Sequence, residues 1–363
     1  MNIVKTNVLK AALHTLYYTR LDAAMAPLTQ GAGVILMLHH VSPEPAAAFA
    51  PNRILTITPD FLDLVIEHLR AADFDIVSID EAHARMTSQT PPRRRFATFT
   101  FDDGYRDNID HALPVLAKHN VPMTIYVTPD FCDGVRHAWW LTLEKVLTEA
   151  PSITIPFPSG TKVFALHTTA QKYVAHREIY VWLRTLPDDV IWSLVKGWAM
   201  AADIDPRPTE RNRVLTWDEL REANKHPLVT LGAHTMSHAA LAKCSAEDAE
   251  WEIAASIEHI EYELASACQH LAYPYGDATS VCLRDHEIAR KLGLRTAVTT
   301  QKGLIGTNAQ ECLTALPRLS LNGDFQDERF LQVLLTGAPF KMLQLAKSAL
   351  PYQAATHAAH HPN

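Results

Sequence analysis

Residues 34–40, Val-Ile-Leu-Met-Leu-His-His, form a near-continuous apolar run, the pattern of a strand buried on both faces in a parallel sheet. Residues 59–72 then place Phe61, Leu62, Val65, Ile66 and Leu69 at helical spacing, with Pro59 in the first turn, where its missing N–H costs nothing. A short strand is predicted over 74–79 and a helix over 80–86. Residues 96–101 alternate Phe with Ala and Thr, which predicts another buried strand. A helix over 109–119 and a strand over 121–127 continue the series. Strands and helices alternating at this short spacing predict right-handed βαβ units and a parallel sheet.

The alternation breaks after Pro129. Trp139-Trp140 starts a helical stretch, residues 153–164 read as a hairpin turning at Pro158-Ser159-Gly160, and helices are predicted over 169–186 and 188–201. Residues 132–213 are therefore expected to be an insertion, a lid or groove wall, that leaves through Asp205-Pro206-Arg207-Pro208. From Thr216 the alternation resumes, with helices over 217–224, 246–267 and 285–292 and strands over 229–232, 271–275, 295–299 and 316–321. Seven or eight strand–helix pairs predict an α/β protein: a distorted (β/α) barrel of about seven strands, spanning residues 33–325, with an inserted helical and hairpin block. Residues 1–32 are expected to form an amphipathic helix with Val8, Ala11, Ala12 and Leu16 on one face. Such a helix more commonly packs on its own domain than lies on a membrane surface. Residues 326–363 are expected to hold a C-terminal helix and a flexible tail containing His357, His360 and His361.

Composition narrows the function classes. The chain has 363 residues, 47% of them hydrophobic, so a sizeable core is expected. A net charge of −7 argues against a nucleic-acid binder. The one basic cluster, Arg93-Arg94-Arg95, reads as a solvated loop end. Five cysteines, Cys132, Cys244, Cys268, Cys282 and Cys312, are odd in number and show no C-x-x-C spacing. Reduced thiols of a cytosolic-type protein are expected, with no disulfide framework or zinc cluster. Lys10, His14, Arg20 and Asp22 interrupt residues 1–30, which fits neither a signal peptide nor a membrane span and leads to a cytoplasmic expectation.

Candidate chemistry stands at the strand ends. Strand 96–101 runs straight into Asp102, Asp103 and Gly104. Buried carboxylates are costly unless paired or metal-bound, and the carboxyl ends of strands are where α/β folds collect catalytic groups. The same residues also suit an ordinary turn or helix cap. Just past strand 229–232 lies His234-Thr235-Met236-Ser237-His238. On a helical turn, positions four apart point within about 40° of each other. Two imidazoles and one carboxylate are a standard donor set for a catalytic divalent ion with open positions, zinc above all. With 19 histidines in the chain the spacing alone is weak; combined with the acidic pair it is strong.

Thr-Phe-Asp-Asp-Gly at 100–104, His-Thr-Met-Ser-His at 234–238 and Tyr-Pro-Tyr-Gly at 273–276 resemble, in order, the three leading motifs of the polysaccharide deacetylases. These are metal-dependent carbohydrate esterases that share the nodulation-type chitooligosaccharide deacetylase domain. Leu-His-His-Val at 38–41 and Leu-Pro-Arg-Leu at 316–319 also resemble that family. The resemblance implies a distorted (β/α) barrel that removes an N-acetyl group from an amino sugar. It implies Asp103, His234 and His238 as ligands of a divalent ion, Zn2+ first, with Co2+, Ni2+ or Mn2+ as alternatives. Asp102 is then the general base. An amide is a poor electrophile, so a Lewis acid that polarises its carbonyl and lowers the pKa of bound water suits the reaction. In the family the backbone N–H at the position of Tyr275 helps hold the oxyanion, and Pro274 would fix that loop.

Two features depart from the commonest family pattern. The Leu-x-His motif that carries the acid in many members is absent, and Arg-Leu-Ser-Leu-Asn-Gly stands at 318–323. The poly-N-acetylglucosamine deacetylase branch, closest in motif, instead has a histidine at the end of the first strand. That makes His39 the candidate acid and His40 its fallback. Ala272 stands where classical members carry an arginine that orients the base, and Arg318 is the candidate replacement. Tyr105, Trp140 and Trp217 are candidate platforms for a sugar ring, although tryptophans more often belong to cores. The expected partner is an N-acetylated oligosaccharide, polysaccharide or lipid-linked sugar, with peripheral membrane contact through residues 1–30 in the lipid-linked case. The same residues admit two other readings. One is hydrolysis of a small cyclic amide or imide; the other is sugar binding by a member that has lost catalysis. Intact Asp102, Asp103, His234 and His238 oppose the last reading, while the absent arginine and Leu-x-His favour it.

Overall fold

A computed structural model describes residues 3–90, 93–209 and 212–349. The chain begins with α1 (Ile3–Thr19) and α2 (Leu21–Thr29), separated at Arg20 by a left-handed φ of 59°. Then follow β1 (Gly33–Leu38), the paired β2 (His40–Val41) and β3 (Thr56–Ile57), α3 (Pro59–Ala71), β4 (Asp75–Ile76) and α4 (Ile79–Thr87). β5 (Phe96–Phe101) leads through a single π turn at 108–112 into α5 (Leu113–Lys118), and β6 (Met123–Val127) comes next. The inserted block holds α6 (Pro129–Cys132), α7 (Trp139–Glu149), the hairpin of β7 (Ser152–Phe157) and β8 (Gly160–Ala165), α8 (Thr169–Leu183) and α9 (Asp188–Ala201). The barrel resumes with α10 (Trp217–Ala223), β9 (Val229–Ala233), α11 (Ala246–Leu264), β10 (His270–Ala272), α12 (Leu283–Lys291), β11 (Thr296–Lys302) and β12 (Leu316–Ser320). The last elements are α13 (Glu328–Leu335) and α14 (Ala338–Ala349).

Seven parallel strands close on themselves in the order β1-β12-β11-β10-β9-β6-β5, with β5 pairing back to β1 from Gly33↔Phe96 to Leu38↔Phe101. This is the expected distorted (β/α) barrel. β4 pairs only with the first two residues of β5, so the predicted strand over 74–79 is an appendage to the ring. Every position of β1 and β5 is buried, because one face fills the barrel and the other packs under helices. The helices start where caps dictate. Thr58 accepts from the N–H of Phe61, and Thr216 and Glu219 close a reciprocal capping box.

The inserted block builds an apolar cluster of its own from Val146, Ile155, Ile179, Ile191 and Val195. That cluster continues without a break into Phe131, Trp139, Trp140 and Tyr105 at the barrel mouth. The block is a wall fused to the site.

Several local expectations are corrected. The N-terminal helix is two helices, and its buried face is Leu13 and Leu16 against Phe330 and Val333; Val8, Ala11 and Ala12 are exposed. Bulky side chains fill the seam with α13 better than alanines, and that seam is invisible in the first 30 residues. The predicted strand over 271–275 stops at Ala272, which frees the next residues to form a loop. All five cysteines are free thiols. Among the described residues no helix is long and apolar enough to cross a membrane. The predicted tail and its three histidines lie outside the described residues.

Candidate active site

Four strand ends converge at the carboxyl mouth of the barrel. β5 delivers Asp102 and Asp103, β9 delivers His234, β10 leads to Tyr275, and β12 carries Arg318. Four of the nine non-glycine residues with left-handed φ among the described residues, Asp103, Thr235, His238 and Tyr275, sit in these loops. Strain of this kind collects where geometry is set by function. Gly104 is also left-handed at φ 68°, which strains any side-chain-bearing residue, and a Cβ there would crowd Val127 Cγ1 at 3.0 Å.

Asp102 is buried and faces an equally buried Arg318, which donates to both carboxylate oxygens at 2.7 Å. The guanidinium is itself held by Thr299 O at 2.9 Å and Thr100 Oγ1 at 3.1 Å. Burial pushes the Asp102 carboxyl up, but the Arg318 charge and hydrogen bonds override it and hold it below the usual carboxylate range. Arg318 thus stands against Asp102, the contact expected of a replacement for the arginine missing at 272. It approaches from β12, while Ala272 on β10 contributes only its carbonyl.

That carbonyl accepts from His234 Nδ1 at 2.7 Å. A carbonyl oxygen can only accept, so Nδ1 carries a proton, and in the neutral ring that tautomer turns the lone pair of Nε2 inward. Nε2 of His234 and Nε2 of His238 each lie 3.4 Å from Asp103 Oδ1, a buried oxygen with no hydrogen-bond partner. The three side chains offer ligand atoms all within 4.8 Å of one another. Lone pairs turned on one point in a dry pocket repel unless a cation or proton lies between them. The residues present therefore fit a divalent ion with an N2O donor set.

The histidine motif is not helical. Thr235 and His238 take φ values of 59° and 63°, and the loop folds back so that both imidazoles face Asp103. Buried Glu252 of α11 holds it by accepting from the N–H and hydroxyl of Ser237, and Thr128 Oγ1 donates to His234 O at 3.1 Å. His238 is packed in aromatic rings, Phe131 at 5.7 Å and Trp140 and Tyr275 at 4.8 Å between centroids.

The two adjacent histidines part company. His39 Nε2 lies 3.9 Å from Asp102 Oδ2, at the mouth. Burial lowers its pKa, opposed by the charges of Asp102 and Asp103. His40 turns away, with Nδ1 at 2.7 Å from Asp107 Oδ2 and its ring stacked 3.6 Å from that of Tyr105. Tyr105 is fully buried beneath it and has no face for a sugar. Trp140 is buried against His238. Trp217 is committed elsewhere, its Nε1 donating to Asp133 at 2.6 Å and its ring stacked on His259. Pro274 is buried in the loop beside Tyr275. Glu252 and Asp188 also hold the site together; both lie on helices at unremarkable acidic positions, so nothing local marks them out.

Two carboxylates and two imidazoles thus stand together at the carboxyl mouth of a parallel barrel. The chain belongs to the polysaccharide deacetylase family, whose model matches residues 89–153 and 162–297, more than half of its length. It is therefore a carbohydrate N-deacetylase, a hydrolase of non-peptide amide bonds. The fold is shared with the Streptococcus pyogenes deacetylase PplD in complex with acetate, at a TM-score of 0.54 and 18% identity, over 83% of this chain and 97% of that one. It is shared with a de-N-acetylase from Aggregatibacter actinomycetemcomitans, at 0.51 and 16%, over 83% and 98%. IcaB from Ammonifex degensii matches at 0.50 and 14%, over 84% and 98%. Among curated proteins none matches the chain.

Proposed function

We propose that the protein removes N-acetyl groups from an amino-sugar glycan with Asp102 as general base and His39 as general acid, Asp103, His234 and His238 holding a divalent ion. The observation that carries this reading is the buried, partnerless Asp103 Oδ1 facing two imidazole nitrogens, beside a second carboxylate locked by Arg318. Zinc is the first choice of ion on donor chemistry, with Co2+, Ni2+ and Mn2+ behind it. When bound, such an ion polarises the amide carbonyl and acidifies water.

The chain's own groups divide the remaining work. Arg318 keeps Asp102 ionised and immobile, so that Asp102 is ready to take a proton from water. His39, whose Nε2 lies 3.9 Å from Asp102 Oδ2, gives a proton to the departing amine. Burial favours its neutral form, which makes it a willing donor once protonated. The backbone N–H of Tyr275 meets no acceptor among the described residues and is free to hold the amide oxygen as charge develops. Arg318 also removes the strongest argument for a catalytically dead member, the missing arginine at 272.

The test is Asp102→Asn in protein loaded with zinc. Acetate release from N-acetylglucosamine oligomers should fall by ~10²–10⁴ while bound zinc stays near one ion per chain. An unchanged rate would overturn the assignment of the base.

A further inference from the structure

One carboxylate of the inserted block reaches two loops of the site at once. Asp188, the first residue of α9, accepts from Tyr275 Oη at 3.0 Å through Oδ1 and from the backbone N–H of Ala240 at 2.8 Å through Oδ2. Ala240 lies two residues past His238, and Tyr275 carries the N–H assigned above to the amide oxygen. The carboxylate does no capping, since Pro187 is the N-cap of α9 and makes no side-chain cap bond. Both of its oxygens are spent on the barrel.

Tyr275 needs such an anchor. Its backbone is left-handed at φ 59°, a conformation that side-chain-bearing residues adopt only when their surroundings impose it. Every part of its side chain is gripped by the inserted block. Trp139 Nε1 donates to Oη at 2.8 Å, Asp188 accepts the hydroxyl's hydrogen bond, and Arg184 lies over the ring with Cζ 3.6 Å from its centroid. Thr300 Oγ1 fixes the carbonyl at 2.6 Å. Trp139, Arg184 and Asp188 all belong to the insertion, while the barrel supplies Thr300 and the His238 ring, 4.8 Å away between centroids. The block wall is thus part of the catalytic geometry.

We infer that Asp188 is a positioning residue for catalysis, aiming the Tyr275 backbone N–H at the reacting amide through the Tyr275 hydroxyl. The inference rests on the proposed oxyanion role of Tyr275. A loop released from its anchor still admits the glycan but no longer presents its N–H in the transition state. The loss therefore falls on kcat and leaves KM in place.

The experiment compares Tyr275→Phe, Asp188→Ala and the double variant with wild type, all zinc-loaded, by acetate release from N-acetylglucosamine oligomers. Each single variant should lose on the order of 10–100-fold in kcat, below the 10²–10³ for deleting an oxyanion donor outright, with KM and bound zinc unchanged. Both substitutions cut one link, so the double variant should be no slower than Asp188→Ala alone. Independent, multiplying losses would overturn the inference, as would an undiminished kcat in Tyr275→Phe, the variant that removes only one oxygen atom. Asp102→Asn in the same assay separates the two ideas. If it abolishes turnover while Tyr275→Phe keeps an undiminished kcat, the positioning role fails and the proposed function stands. If Asp102→Asn keeps its turnover, both fall.

Discussion

Arg318→Met tests the physics on which the site depends. Arg318 is 1% exposed and spends its donors on both oxygens of Asp102, on Thr299 O and on Thr100 Oγ1. Methionine is apolar and fits much of the same space, but it leaves Asp102 as a buried carboxylate with no counter-charge. Removing one partner of a buried pair costs about 3–5 kcal/mol, because the remaining charge has neither water nor a partner. Unfolding entropy of roughly 2.1 cal/mol/K per residue over 363 residues comes to about 0.8 kcal/mol/K. The melting temperature should therefore drop by about 4–7 °C. The double variant Arg318→Met with Asp102→Asn removes the stranded charge and should melt above the single one, despite carrying an extra substitution. Arg318→Lys keeps the charge but loses the two-pronged fit, and should retain part of the stability and little of the acetate release. Thermal melts of the metal-free variants decide the matter. A single variant that melts with wild type, or a double variant no more stable than the single, would refute the claim that this ion pair holds Asp102.

Other outcomes follow from the same geometry. Chelation should strip activity and lower the melting temperature, by the equivalent of about 2.7 kcal/mol where zinc had stood at 100 times its Kd, and zinc should restore both; His234→Ala should bind no ion, and a variant that binds as wild type does would remove His234 from the ligand set. His39→Asn should cost ~10²–10⁴ in acetate release, whereas His40→Asn, acting from behind Tyr105, should cost less than about tenfold; the reverse order would hand the acid role to His40. Asp80 is held at about 2 by a hydrogen bond from His270, against the pull of burial and with help from Arg295. Its folded pKa is depressed, so its contribution to stability is present above pH 3.8 and is lost as the pH falls toward about 2. Asp80→Asn should then melt below wild type at pH 6 and converge with it across that window; a constant gap at every pH would contradict the linkage.

Much of the fold was legible because closing a barrel under helices imposes a local requirement. Strands such as 34–38 and 96–101 must be apolar on both faces, and that run of residues is visible without knowing a single contact. The acidic pair and the histidine pair were equally plain, since a ligand set needs particular residue types beside strand ends. The helical picture of 234–238 failed because left-handed φ at Thr235 and His238 has no local signature when neither residue is glycine. The face of α1 failed because it is chosen by Phe330 and Val333, far along the chain.

By itself, then, the sequence determined the barrel and the insertion, which rest on periodicity, and marked the acidic and histidine pairs by residue type at strand ends. The tertiary structure decided which of them work together. Arg318 meets Asp102 across 216 residues only because β12 and β5 flank β1 in the closed ring. His39 rather than His40 faces the mouth because alternate residues at a strand end point to opposite sides, and only ring closure defines which side is which. Asp188 became part of the site for the same reason. A hydrogen bond between distant elements depends on the register of the whole barrel, and no short stretch of chain contains that information.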